Sequence, residues 1–357
     1  MSDSGLDRRA FLGHAALALT ACSAGNSLPV NEGLLASPPL LLPPALQRGM
    51  RVGLITPASQ LAGKDAHSVA EERVRALGYE PVLSAHAKAQ RGYLAGTDEE
   101  RLTDLHAFFA DKSIDAIWCL RGGYGTLRIL ASVDYALIKR NPKALIGYSD
   151  ITALHLAIQK LTGLVTFHGP MPGQVLSAYS AAELQRVLTA RSGSLSIGAE
   201  PPAVATAPDD KREAPPVLAT IRGGQAEGPL TGGNLTLVCR LMGTPFEPDL
   251  AGRILYLEDV GEAPYRIDGM LSQLKLSGKL KSCAGILLGR FTGARGDDPS
   301  PTDLKDLFHD LLSGLALPVC YGFPCGHVSD QTTLPNGVRA RLDADKGSLR
   351  LLAPCVR

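Results

Sequence analysis

Short apolar runs, each closed by a turn-forming residue, alternate along this chain with stretches whose apolar positions recur every three or four residues. Between residues 50 and 161 the runs are Arg51-Val-Gly-Leu-Ile, Glu80-Pro-Val-Leu, Asp115-Ala-Ile-Trp-Cys-Leu and Ala144-Leu-Ile. Runs of this length read as buried strands. The stretches between and after them, 69–77, 97–109, 127–133 and 150–161, read as helices. The last places Ile151, Leu154, Ile158 and Leu161 on one face. Strand and helix in alternation predict a parallel sheet with helices on both faces.

The second half follows a looser pattern. Strands are expected at 253–257, 285–288 and 318–323, one helix at 266–276, and glycine turns between them. This predicts a smaller, mixed α/β domain. A stretch rich in Pro, Ala and charge, 200–216, reads as a loop or linker. The expected organisation is an export signal over 1–22, a tether over 23–49, an N-terminal domain over 50–199, a linker over 200–220 and a C-terminal domain over 221–357.

Composition narrows the class. At 45% hydrophobic and 20% charged residues over 357 positions, the chain can bury a sizeable core. A formal net charge of +1, with no basic block interleaved with aromatics, gives no case for a nucleic-acid partner. The seven cysteines form no CxxC, and neither HExxH nor clustered histidines appear, so no metal or other cofactor is expected. Cys320 and Cys325 are near enough in sequence to bridge in an oxidising compartment.

The N-terminus reads as an address. Arg8 and Arg9 precede Phe11-Leu12, the pattern of twin-arginine export. A short apolar stretch then ends in Leu19-Thr20-Ala21-Cys22, which resembles a lipobox. Lipidation of Cys22 would tie the chain to the periplasmic face of a bacterial membrane. Residues 23–49, rich in Pro, Leu, Ser and Gly, suit a tether. Without lipidation or export, the location would be cytoplasmic.

Candidate chemistry lies just after the apolar runs, because ligands of open parallel sheets bind at the carboxyl ends of the strands. Ser149, in Gly147-Tyr148-Ser149-Asp150, sits between a strand and a helix, where it is either a helix cap or a nucleophile. The loop Arg121-Gly-Gly-Tyr-Gly can bring backbone N–H groups close to a ligand or simply make a tight turn. Glu258 and Asp259 close a buried run, and either can orient a histidine or meet solvent. Among the histidines, His168 and His327 both follow strands, and position alone does not separate them.

Several runs together resemble the LD-carboxypeptidases, the serine peptidases that include murein tetrapeptide carboxypeptidase and the microcin C self-immunity proteins. They are Arg121-Gly-Gly-Tyr-Gly, Ile146-Gly-Tyr-Ser-Asp-Ile-Thr-Ala, His168-Gly-Pro-Met, Gly232-Gly-Asn-Leu, Gly243-Thr-Pro, Leu255-Tyr-Leu-Glu-Asp, Pro264-Tyr-Arg-Ile-Asp, Gly285-Ile-Leu-Leu-Gly and Gly326-His. They stand in the family's order across roughly residues 50–350. The resemblance implies a flavodoxin-like N-terminal domain, a smaller C-terminal domain and a site between them. It implies Ser149 as nucleophile, Glu258 rather than Asp259 as acid, and His327 rather than His168 as base. The oxyanion would meet backbone N–H groups of Asp150 and Gly123, and Asn234 would contact substrate.

The implied reaction removes the terminal D-alanine of a murein tetrapeptide through an acyl-enzyme, without a cofactor. The partners expected are a murein peptide, a membrane surface through the lipid, and a second copy of the chain. Two alternatives stand beside it: a microcin-immunity-like amidase of peptidyl-nucleotides, and a non-catalytic lipoprotein that binds murein peptides. Two departures from the family are export, where the best-known members work in the cytoplasm, and a longer, more proline-rich 200–216 stretch.

Overall fold

The computed structural model describes residues 38–199, 218–294 and 302–357. The export and lipidation signals at Arg8, Arg9 and Cys22, the tether up to residue 37, and the stretch 200–216 lie outside the described residues.

Five of the predicted or implied strands build the first sheet: β1 (Arg51–Ile55), β2 (Glu80–Leu83), β3 (Ala116–Cys119), β4 (Ala144–Gly147) and β5 (Thr166–His168). They are parallel and run in the order β5-β4-β3-β1-β2. That is the flavodoxin-like order, with its switch point between β1 and β3. Alternate residues of each strand face opposite cores. Val52, Leu54, Trp118 and Ile146 join one cluster, and Ile55, Ile117, Cys119 and Leu145 the other. Helices cover both sides, which is why these strands read as continuous apolar runs rather than alternating ones.

The second sheet has eight strands: β6 (Leu195–Ile197), β7 (Ala219–Arg222), β8 (Gln225–Asn234), β9 (Ile254–Val260), β10 (Gly285–Thr292), β11 (Val319–Gly326), β13 (Arg339–Asp343) and β14 (Ser348–Leu351). Its order is β6-β14-β13-β8-β9-β10-β11-β7. The four strands β8 to β11 are parallel, and the outer strands pair antiparallel. The α/β class and the flavodoxin-like first sheet are as expected. The two sheets also exchange strands. β6 precedes the 200–216 stretch yet pairs with β14, and β12 (Leu334–Asn336) pairs antiparallel with β5 in the first sheet.

Two expectations change, and the open cysteine pair resolves. Residues 38–49, assigned to the tether by composition, lie on the folded body. Leu41 exchanges backbone hydrogen bonds with Gly163 and Val165, Ala45 N donates to Arg357 O, and Leu46 N donates to Leu188 O. The reason is apolar burial, since Ala45 and Leu46 are both enclosed in the core. Cys320 and Cys325 are both free and buried. They stand five residues apart on β11, which Gly322 bends at φ 93° between them. The helix expected at 127–133 is one turn, Thr126–Ile129, followed by a 3₁₀ turn and a second helix, Tyr135–Arg140.

Candidate active site

Ser149 leaves β4 in a strained conformation. Its φ is 64°, and among the described residues only one other non-glycine, Ser194, has positive φ. A non-glycine residue there costs about 1–3 kcal/mol and persists only where its surroundings over-determine it. Here they do. Thr126 N donates to Asp150 Oδ2 at 2.9 Å, and Thr126 Oγ1 donates to the Asp150 carbonyl at 2.6 Å. Behind the turn, His155 Nε2 bonds Gly147 O at 2.8 Å. The helix Thr152–Thr162 follows a 3₁₀ turn over Ser149–Ile151. The serine hydroxyl is bonded to a histidine from the second sheet rather than to this helix start.

The glycine loop after β3 presses against this turn. A Cβ placed on Gly122 would lie 2.8 Å from Ser149 Cβ and 3.3 Å from Asp150 N. Only glycine permits that approach. Gly122 and Gly123 line the cleft beside Ser149, so the loop and the start of the turn present backbone at the hydroxyl. The loop is fixed from below by Arg101, whose side chain is 1% exposed. Arg101 Nη1 donates to Pro57 O at 2.6 Å and to Gly125 O at 3.0 Å, joining the loops that follow β1 and β3. Its helix, Asp98–Ala110, starts at a capping box: Thr97 Oγ1 accepts from Glu100 N, and Glu100 Oε2 accepts from Thr97 N.

The second sheet supplies the other two groups. His327 follows the last residue of β11, and Glu258 lies near the end of β9. His327 Nε2 stands 3.0 Å from Ser149 Oγ, and His327 Nδ1 stands 2.7 Å from Glu258 Oε2. The chain hydroxyl–imidazole–carboxylate is therefore continuous across both sheets. Gly326, at φ 107°, lets β11 end on top of the acid, because a Cβ there would lie 2.7 Å from Glu258 Cβ.

Glu258 is fully buried. Burial pushes its carboxyl up, yet the His327 charge and hydrogen bond outweigh that and hold it below the usual carboxylate range. For His327 burial works downward, and the Glu258 charge and hydrogen bond prevail, so its imidazole lies above the ordinary value. The Tyr148 ring packs edge-on against His327 with centroids 4.8 Å apart, and the Tyr148 hydroxyl donates to Gln174 Oε1. Gln174 and Met171 join Ser149 and His327 around a cleft of about 410 Å³.

The remaining candidates fall elsewhere. Asp259 points away from His327. Its carboxylate accepts from Asn234 Nδ2 at 2.7 Å, from Thr236 N and Oγ1 at 2.9 and 2.8 Å, and from Val260 N at 2.9 Å. Asn234, expected at the substrate, is 4% exposed, and both ends of its carboxamide are engaged. Oδ1 accepts from Leu237 N to cap the helix Leu235–Leu241, and Nδ2 is the donor to Asp259. The contacts brace Asn234 beside the Glu258–Asp259 pair, where its hydrogen bonding also helps hold the Glu258 carboxyl down. His168 is completely buried between Tyr148 and Tyr256, at centroid distances of 5.9 and 5.4 Å, with neither ring nitrogen hydrogen-bonded. Burial pushes its imidazole down to about 4.

A continuous Ser–His–Glu chain at the carboxyl ends of parallel strands from two sheets can activate a hydroxyl for acyl transfer. Comparison with known proteins places that chemistry. The pattern of the LD-carboxypeptidase N-terminal domain matches residues 52–169, and that of the LD-carboxypeptidase C-terminal domain matches residues 227–342. A Bacillus subtilis (strain 168) protein named probable murein peptide carboxypeptidase is 41% identical over 302 residues, 84% of this chain and 91% of its own.

The chain belongs to the LD-carboxypeptidase family.

Solved structures of this family agree. The muramoyltetrapeptide carboxypeptidase from Oxalobacter formigenes is 30% identical with a TM-score of 0.72, covering 86% of this chain and 100% of that one. The microcin C7 self immunity protein MccF, in an inactive mutant apo state, is 26% identical with a TM-score of 0.80, covering 89% and 100%. In this LD-carboxypeptidase chain the buried Arg101 is the residue that sequence reasoning missed. Its signal was its helix phase. Arg101 shares a face with Leu105 and Phe108, four and seven residues on, so a charge on the apolar face had to find buried acceptors.

Proposed function

We propose that this chain is a serine carboxypeptidase that removes the terminal D-alanine from murein tetrapeptides. The observation that carries the reading is the hydrogen-bonded chain from Ser149 Oγ through His327 to Glu258, opening on the cleft. In this mechanism His327 Nε2 takes the Ser149 proton as Oγ attacks the scissile carbonyl. The Glu258 carboxylate holds the imidazole tautomer and stabilises the imidazolium. The tetrahedral oxyanion meets the backbone N–H groups of Asp150 and Gly123. His327 then protonates the leaving amine, D-alanine departs, and water hydrolyses the acyl-serine by the same path.

Purified protein incubated with murein tetrapeptide should release free D-alanine and leave the tripeptide. Tight binding without release would favour the non-catalytic alternative. The likeness to the microcin C7 self immunity protein supports a second reading, an amidase acting on a peptidyl-nucleotide. Turnover of such a conjugate, with the tetrapeptide left intact, would establish it.

The raised imidazole makes the pH dependence testable. His327 accepts the serine proton only when neutral, and its ordinary value is 6.5. With that value raised, kcat/KM should climb with pH through a midpoint above 6.5 and fall off below it. In Glu258→Gln the carboxylate that holds the imidazole up is gone, so the midpoint should move to lower pH. An unmoved midpoint in that variant would detach Glu258 from the base.

The address signals extend the proposal to place. Export through Arg8-Arg9 and lipidation at Cys22 would hold the enzyme on the periplasmic face of a membrane, within reach of mature murein. Mass spectrometry of the mature N-terminus decides this. A lipid-modified Cys22 at the first position supports it, and an unmodified N-terminus upstream of Cys22 in active native protein overturns it.

A further inference from the structure

A carboxypeptidase must recognise that its substrate ends. The residue it releases carries a free carboxylate on the carbon next to the scissile nitrogen, so this anion lies within a few bonds of the attacked carbonyl. Unless it is paired there, bringing it out of water is costly. Among the described residues lining the cleft, one carries a permanent positive charge, Arg121. It immediately precedes Gly122, the residue whose missing Cβ lets the loop close on Ser149. Consecutive Cα atoms are about 3.8 Å apart. The Arg121 stem is therefore rooted one residue from the closest approach to Ser149.

The guanidinium lines the cleft and is not saturated. Nη1 donates to the Gln60 carbonyl at 2.8 Å, which ties one corner to the loop after β1. Among the described residues no carboxylate lies within ion-pairing distance of it. A guanidinium has five N–H donors in a planar fork, and one is used here, so an edge remains for a carboxylate. No other cleft residue carries a fixed positive charge. Leu61, Ala62, Leu120 and Met171 are apolar, and Gln174, held at Oε1 by Tyr148, has only uncharged Nε2 N–H groups to offer.

We propose that Arg121 is the specificity-determining residue of this enzyme, binding the free C-terminal carboxylate of the peptide and so restricting cleavage to the last residue. This rests on the carboxypeptidase reading of the site. It assigns the charge of the Arg121-Gly-Gly loop to substrate recognition, while the backbone of the same loop serves the oxyanion.

The test compares two substrates in three proteins. Wild type, Arg121→Lys and Arg121→Gln are each given the murein tetrapeptide as free acid and as C-terminal amide. The readout is the ratio of kcat/KM for acid over amide. Wild type should prefer the acid. Arg121→Gln should lower the ratio about ten- to a hundredfold, the span of one hydrogen bond to a charged group, chiefly through KM for the acid. Arg121→Lys, which keeps the charge but loses the fork, should recover part of it. Equal losses on acid and amide, or an unchanged ratio, overturn the inference and leave the carboxypeptidase reading standing. No D-alanine release from the free acid by wild type overturns that reading and the inference with it.

Discussion

Ser149→Ala should leave a folded protein whose turnover on murein tetrapeptide is roughly 10⁴- to 10⁶-fold below wild type, the usual loss when a triad nucleophile is removed. Stability should hardly change. The strained φ of 64° is borne by the backbone, and alanine, like serine, carries a Cβ there, so no new strain is added. The bonds that pin the turn come from Thr126, Asp150 and His155, none of which uses the serine hydroxyl. The variant loses only the 3.0 Å contact to His327 Nε2. The measurement is D-alanine release in a preparation free of wild-type enzyme, alongside a thermal melt. Retention of more than about a tenth of wild-type turnover would be incompatible with a nucleophilic role.

The second large effect separates two adjacent carboxylates. Glu258→Gln should reduce kcat about 10³- to 10⁴-fold, because an amide facing His327 Nδ1 neither stabilises the imidazolium nor enforces the tautomer that accepts from serine. Asp259→Asn should act mainly on stability. Its carboxylate takes four donors, from Asn234, Thr236 twice and Val260. An amide turns one acceptor into a donor facing donors, a loss of about 1–3 kcal/mol. The expected pattern is a lowered melting temperature with most of kcat kept for Asp259→Asn, and the reverse for Glu258→Gln. If Asp259→Asn were the more damaging to kcat, the acid of the site would be misassigned.

That distinction shows how far the chain can be read without a structure. Adjacent strand residues point to opposite faces, so it was legible that only one of the pair could reach a histidine. Which one depends on the register of β9 against β8, where Glu258 pairs with Asn234, and that register is a long-range fact. The first sheet was legible because its strands are buried on both faces and read as plain apolar runs. In the second sheet β8, Gln-Ala-Glu-Gly-Pro-Leu-Thr-Gly-Gly-Asn, carries three glycines and a proline, which locally argue for a turn. Tertiary pairing with β9 and β13 overrides that preference.

The choice between the two histidines was hidden for a related reason. Both follow apolar runs, but β12 from residues 334–336 pairs over β5 and seals His168 inside. His327 ends its strand on the cleft.

The exchange of strands between the sheets also sets when the enzyme can become active during its own synthesis. Ser149 and His327 are 178 residues apart in sequence, and β5 receives its edge partner β12 later still. Synthesis adds on the order of 5–20 residues per second, so a nascent chain carries the serine for many seconds before any base can reach it. A hydrolase that could attack the cell's own peptides is thus born inert. It acquires reactivity only when the chain has emerged past β12 and both sheets have closed.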